Sequence, residues 1–428
     1  MGSGEFELPI DQARSGQILK LPNEILHRIA ILLPHDYDII KLALANKEMK
    51  ARILGQHEPN TALWRVRFKQ TYDLPQGRSS QELMVEYQTR MIVLGRGTDF
   101  RDYSHAQQKF WLEVFQTMIS EVIDLPWQIA VASKTYQQIQ NEVCDIQFLS
   151  QPNFKGKHPE AFCAVQLALT ALALDSTATL TISRGDYNIR QVYTLGELQV
   201  PFIDHRNVNL SRLLDMRSFW MRHLMSPDEH SFHESFNGLA DMYKPRALKT
   251  DGSKATDLSK SWTGYFSCLH PMPVSFDAED HRETCADGDS HLPEVDIQTL
   301  EIKERSSEPF WPAECNAFMP RCVDLDNKRI HFTGFQNVLR SSQDAANPIF
   351  GFVEPIETPC GGIPGWSRIC FTICERPPAN EVFTWPPLAT RWIHGYEAII
   401  LPGGRLMLGL WIDLQNPMGR GPFIYWDV

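Results

Sequence analysis

The chain has 428 residues, 43% of them hydrophobic and 22% charged, which are the proportions of a globular protein and not of a disordered one. Its formal net charge of −11 comes without any Lys/Arg block that could track phosphates, which argues against nucleic-acid binding. A chain this long exceeds what one hydrophobic core usually organises, so a small N-terminal module followed by larger units is expected.

Residues Met1–Leu8 read as vector-derived, and 1–18 are set aside as tag and tail. From Leu21 the sequence runs Leu-Pro-Asn-Glu-Ile-Leu-His-Arg-Ile-Ala-Ile-Leu-Leu-Pro. Pro22 suits a first helical position and Pro34 marks the end, while Leu21, Ile25, Leu26, Ile29, Leu32 and Leu33 recur at helical spacing as one broad apolar face. A second helix is expected from Asp36 or Asp38 through the Ile39–Leu44 run. A third starts at Asn46, a good N-cap, and stops at Gly55. Three short helices bury too little surface to be stable alone, yet they carry a surplus of Leu and Ile, so the surplus needs a partner.

These residues, Leu21-Pro22-x-Glu24-Ile25-Leu26, Leu33-Pro34, the acidic start of the second helix, the Ile39–Leu44 run and the later Leu63-Trp64, resemble an F-box over residues 19–68. The resemblance implies docking to a Skp-type adaptor and through it to a cullin-based ubiquitin ligase. Leu21, Pro22, Ile25, Leu26, Ile29, Leu32, Leu33 and Pro34 would then lie at or beneath the adaptor surface. Pro34-His-Asp-Tyr-Asp-Ile is one residue longer than the family pattern, and Lys47-Glu48-Met49 departs from it in the third helix.

Residues 69–175 read as a helical linker domain. Phe110, Val114, Phe115, Met118, Ile119 and Val122 follow a 3.6-residue period, as do Phe162, Val165, Leu169 and Leu172. The most apolar stretch, Cys163 to Leu174, is shorter than the roughly 20 residues that span a bilayer and reads as a buried helix.

Residues 176–428 change texture. Short β-rich runs are expected at Thr179–Ser183, Ile189–Thr194, Trp262–His270, Ile297–Lys303, Ile330–Val338, Ile369–Cys374, Arg391–Leu401, Arg405–Ile412 and Phe423–Trp426, bounded by turn residues. The clearest hairpin turns at Pro402-Gly403-Gly404. The fold class predicted is therefore α+β, with an N-terminal three-helix module, a helical layer and a C-terminal antiparallel β-barrel-like domain. The polar segment Pro245–Lys260 and the acidic Asp277–Asp296 read as surface loops.

Trp262-Thr-Gly-Tyr-Phe-Ser-Cys-Leu-His-Pro, His394-Gly-Tyr-Glu and the closing Gly421-Pro-Phe-Ile-Tyr-Trp resemble the C-terminal region of fungal F-box-like proteins. More weakly, they resemble F-box proteins whose lipocalin-like barrel holds a peptide end.

Established catalytic signatures are missing: there is no GxSxG elbow, P-loop, HExxH or dinucleotide fingerprint, and Gly361-Gly-Ile-Pro-Gly reads as a turn. His223, His230 and His233, with Asp228 or Glu229, offer metal-ligating types. Pro227 breaks the helix that would align them, so a polar loop is the preferred reading and no metal or cofactor is expected. Nine cysteines with no CxxC pair fit a reducing cytoplasmic or nuclear compartment. Cys370 and Cys374 on one strand would stand roughly 13 Å apart, too far for a disulfide.

Alternation along a strand puts Trp392, His394 and Tyr396 on one face and Ile393, Gly395 and Glu397 on the other. If the first face is interior, a barrel cavity with aromatic walls follows. The candidate ligand-binding set is Trp262, Tyr265, His331, Arg368, Trp392, His394, Tyr396, Arg405 and Trp411, with Arg368 or Arg405 to fix an anionic group. The bland alternative is that the rings simply fill a core. Two functions follow. One is an F-box substrate receptor whose barrel binds a peptide degron or a small ligand, with no membrane or nucleic-acid partner. The other is a cofactor-independent enzyme, a pericyclase, cyclase or isomerase of fungal secondary metabolism, which needs no linear motif because holding reactive ends together supplies most of the rate.

Overall fold

Proline, asparagine and glycine punctuate the first helices as their chemistry dictates. In the computed structural model, which describes residues 18–55, 61–95, 105–123, 125, 129, 132–144, 158–175, 187–193, 203–204, 207–227, 231–246, 258, 261–267, 298–306, 329–338, 346–375, 392–415 and 419–428, Pro22 precedes helix α1 (Asn23–Leu32) and its carbonyl accepts from Leu26 N at 3.1 Å. Helix α2 spans Asp36–Leu44. Asn46 caps α3 (Lys47–Leu54), its Oδ1 accepting from Glu48 N at 2.7 Å and Met49 N at 2.9 Å. Gly55 then leaves the helix at φ 92°, a conformation that only glycine adopts cheaply.

The chain forms two compact units, Met1–Gly97 and Thr98–Val428. The first contains α1–α3 together with α4 (Thr61–Thr71) and α5 (Ser80–Gly95). Of the helices after residue 69, α5 belongs to this first unit and those from residue 105 onward belong to the second, with the strands. Leu26, Ala30, Ile39, Ala43, Met49 and Ile53 close the core of the three short helices. Trp64, Phe68, Tyr72 and Tyr87 form a second cluster between α4 and α5, with ring centroids 5.4–6.4 Å apart. The Arg90 guanidinium lies over it, 4.6 Å from the Tyr72 centroid. Ser79 and Glu82 make a reciprocal capping box at the start of α5.

In the second unit the helices His105–Val122, Lys134–Cys144, Glu160–Ala168, Thr170–Leu174, Ile189–Tyr193, Leu210–Met225 and Ser231–Asn237 precede the sheet, with a small hairpin of β1 (Ile203–Asp204) and β2 (Asn207–Val208) among them. The periodic residues Val114, Phe115, Met118, Ile119 and Val122 are buried, whereas Phe110 is 60% exposed. The segment 163–174 is helical and buried but broken at Leu169. No helix among the described residues is long and apolar enough to cross a membrane.

The sheet contains β3 (Ser261–Phe266), β4 (Gln298–Ser306), β5 (Ile330–Val338), β6 (Asn347–Ile356), β7 (Trp366–Cys374), β8 (Ile393–Ile400), β9 (Leu406–Asp413) and β10 (Arg420–Asp427). Seven of them, β5-β6-β7-β8-β9-β10-β3, follow one another antiparallel in a strong curl, and β4 pairs with both β3 and β5 to close the ring. Leu401, Gly403 (φ 92°) and Gly404 (φ 67°) form the β8–β9 turn, with Leu401 N donating to Leu406 O at 2.8 Å.

Two expectations differ. Residues 189–193 are helical and not extended, because Asn188 Oδ1 accepts from Arg190 N and the Asn188 carbonyl from Val192 N. Strand β6 was not foreseen. Thr179–Ser183, and most of the two polar loops, lie outside the described residues.

Helices cover part of the sheet's outer face. Phe232 meets Tyr265 edge-on at 5.9 Å and Phe236 meets Trp426 at 5.7 Å, while the Tyr193 hydroxyl lies 2.6 Å from Ser267 Oγ. Because both faces bury apolar side chains, strands such as β7 read as nearly continuous hydrophobic runs.

Candidate functional sites: an N-terminal apolar face and the barrel interior

On α1 and α2 the apolar residues range from fully buried to widely exposed. Leu26, Ala30, Ile39 and Ala43 are fully buried, whereas Ile25 is 44%, Leu32 73%, Tyr37 67% and Leu44 63% exposed. Pro22 and Pro34 are also exposed, and Leu21, Ile29 and Leu33 are half-buried. Leu26 therefore serves the module's own core, and Tyr37 and Leu44 join the open face. The signal for Tyr37 lay in its position one residue after Asp36, where α2 turns its first face outward. Lys41 Nζ rests 4.1 Å from the Tyr37 ring, leaving a cation at the rim.

Rigid supports hold this face. Arg52 donates to Leu19 O and Asn23 Oδ1, each at 2.6 Å, and to Leu21 O, which ties α3 to the start of α1. Arg67 grips Asp36 and also donates to Leu33 O at 3.1 Å, fixing the α1–α2 corner. Hydrogen bonding to Asp36 raises the Arg67 pKa despite the opposing effect of burial.

In the second unit the strand register settles which side chains face inward. The partners Ile349↔Ile373, Gly351↔Phe371, Phe371↔Tyr396, Tyr396↔Trp411 and Met407↔Tyr425 share one face, and their side chains pack with Trp262, Phe332, Ala398 and Phe423 as one cluster. Phe371 and Tyr396 stack at 4.6 Å with 5° between planes, and Phe423 meets Tyr396 edge-on at 5.3 Å. Inner-face Gly351 makes the room: a Cβ there would sit 2.5 Å from the Phe332 ring and 2.6 Å from Phe371 Cβ.

Of the expected ligand-binding set, Trp262, Trp392, His394, Tyr396 and Trp411 belong to this inner face or its rim. His394 stands between two indoles, 4.8 Å from Trp392 and 5.1 Å from Trp411, and its cross-strand partner is Asp413. Burial pulls the His394 pKa down while the Asp413 carboxylate pushes the other way. Burial also raises the Tyr396 phenol, and burial together with Tyr396 raises that of Tyr425.

Tyr265, His331 and Arg368 have the opposite parity and face outward. Tyr265 lies against Ser235 at 3.2 Å, and burial pushes its phenol up to about 12. His331 faces Phe352, with centroids 6.0 Å apart. Arg368 donates to Glu397 at 2.5 Å on the outer face. Arg405 stands at the β8–β9 turn, far along the strands from His394, and donates to Asp427 at 2.6 Å. Neither arginine is placed to hold an anion beside His394, because each already pairs with a carboxylate.

Of the histidine group, His223 and His233 are described. His223 is buried in helix Leu210–Met225 against Phe219 at 4.2 Å, and His233 bonds Leu224 O at 2.9 Å. Residues 228–230 lie outside the described set, and the described residues contain no cluster of metal-ligating side chains. Cys163, Cys360, Cys370 and Cys374 are buried and form no disulfide.

Sequence reasoning missed Gln336 and Asn347, which face each other across β5 and β6 on the inner side. The period-2 series Ile330, Phe332, Gly334, Gln336 was the available signal. Comparison of the chain with family models, with curated proteins and with solved structures gave no match in any of the three.

Proposed function

We propose that this chain is an F-box-type substrate receptor, in which the N-terminal unit docks a Skp-type adaptor of a cullin ligase and the barrel holds a peptide or small ligand. The observation that carries the reading is the exposure of Ile25, Leu32, Tyr37 and Leu44 on two helices that bury only Leu26, Ala30, Ile39 and Ala43 completely. Fully burying one such side chain contributes about 1.5–3 kcal/mol, so four partly exposed ones supply enough for a specific interface. The sequence resemblance over residues 19–68 supplies the identity of the partner.

The test is capture of a purified Skp-type adaptor by the full chain, followed by size-exclusion chromatography. The wild-type chain is expected to elute as a stable complex. Leu32→Asp with Tyr37→Asp changes exposed positions, so the chain should stay folded while binding weakens at least tenfold. No complex with the wild-type chain, or an unaltered complex with the double variant, rejects the proposal.

A further inference from the structure

We infer that the end of the barrel carrying Gln336, Asn347, Trp392 and Trp411 is a binding site for a small, neutral, planar ring with an amide edge, such as a lactam, a pyrimidinone or an aromatic carboxamide. The inference rests on the ligand-holding half of the proposed function and is independent of adaptor docking.

The antiparallel order gathers these residues. The C-terminal ends of β5, β7 and β9 and the N-terminal ends of β6, β8 and β10 lie at one end of the barrel. There Gln336 and Asn347 are direct cross-strand partners on the inner face, and Asn347 Nδ2 donates to Gln336 Oε1 at 3.1 Å. Gln336 is only 4% exposed. Two primary amides can close a ring of two hydrogen bonds, but this pair makes one, which leaves Gln336 Nε2 without an acceptor and Asn347 Oδ1 without a donor. Exchanging oxygen and nitrogen in both amides still leaves one free donor and one free acceptor side by side. Neither free atom is fully closed off, and Asn347 is half-buried, so the pair can present its donor and acceptor together to a ligand that offers the complementary edge. An amide does so: its carbonyl accepts from Gln336 and its N–H donates to Asn347.

The aromatic half of the site selects a flat ligand. Trp392, His394 and Trp411 form a ladder of rings at the same end, and Phe266 meets Trp411 edge-on at 5.7 Å. The Trp411 indole N–H is already committed to Ser267 O at 2.9 Å, so this ring offers its face and not its edge. Among the described residues His394 has no side-chain hydrogen-bond partner, and Asp413 opposite it disfavours an anion. Rings, amides and an acid together point to a neutral planar partner.

Calorimetric titration of the full chain with benzamide and 2-pyridone tests this, with N,N-dimethylbenzamide as a ring lacking the N–H donor and acetamide as an amide lacking the ring. Saturable binding of benzamide or 2-pyridone is expected, with both controls at least tenfold weaker. Gln336→Leu and Asn347→Leu should each weaken binding at least tenfold, and Trp392→Ala at least fivefold. The comparison of ligands on the wild-type chain needs no variant to fold. Absence of saturable binding into the millimolar range, equal binding of benzamide and its dimethyl analogue, or binding unmoved by the variants overturns the inference. Adaptor capture is measured separately, so either reading can fail while the other stands.

Discussion

Arg67 and Asp36 form a charge-assisted fork, Nε at 2.9 Å and Nη2 at 2.6 Å from the same carboxylate oxygen, and the Tyr87 hydroxyl donates to the other oxygen at 2.7 Å. Asp36 also stands in the first turn of α2, where the helix dipole favours an anion. One acidic side chain therefore joins α2 to both α4 and α5. Asp36→Asn should destabilise the N-terminal unit by roughly 2–3 kcal/mol, because it leaves a mostly buried guanidinium without its counter-charge. Urea unfolding followed by the Trp64 signal measures the loss.

Asn46 is exposed and its side chain accepts from two backbone N–H groups at the start of α3, so its worth is that of a cap. Asn46→Ala should cost about 1 kcal/mol, whereas Asn46→Ser, which keeps an acceptor oxygen, should cost only a few tenths. Thermal unfolding of the two variants side by side separates capping from packing.

The ring stack inside the barrel depends on Gly351. A methyl group there would press on Phe332, on Phe371 and on the Cys370 carbonyl, 2.6 Å away, and all three belong to strands that cannot shift independently. Gly351→Ala should lower the stability of the second unit by about 2 kcal/mol or more and leave adaptor capture unchanged. Loss of near-ultraviolet circular dichroism at a lower temperature is the readout.

Two histidines give stability a pH dependence of known sign. Burial pulls His158, stacked on Phe162 at 4.7 Å, from the usual 6.5 to about 4, and burial lowers His394 as well. With the folded pKa below the unfolded one, the unfolded chain takes up protons that the folded chain refuses. Stability from these groups is complete above about pH 6.5, declines as the pH falls, and for His158 levels off below about 4. His158→Phe keeps the stack and should flatten that part of the decline, as seen in urea midpoints across this range.

The first three helices could be read in the sequence because Pro22, Asn46 and Gly55 each have a backbone preference that decides an end locally. Strand β6 could not, since Pro348, Gly351 and Pro355 are loop formers by composition and are held extended only by pairing with β5 and β7. Alternation placed Trp392, His394 and Tyr396 on one face, but it could not say which face was inner, because helices bury much of the outer one too. For the same reason Tyr265 joined a set with Trp262, although three residues along a strand reverse the face. Gln336 continues the period-2 series of β5, but nothing in the sequence points to Asn347; only the cross-strand register brings the two together.

Hydrogen exchange of the full chain with and without a purified Skp-type adaptor reads the open face of α1 and α2 most directly. Slowed exchange confined to residues 22–45, with amides of β5–β10 unaffected, is the predicted result. Unchanged exchange across those residues at saturating adaptor, or slowing found only in the barrel strands, would contradict it.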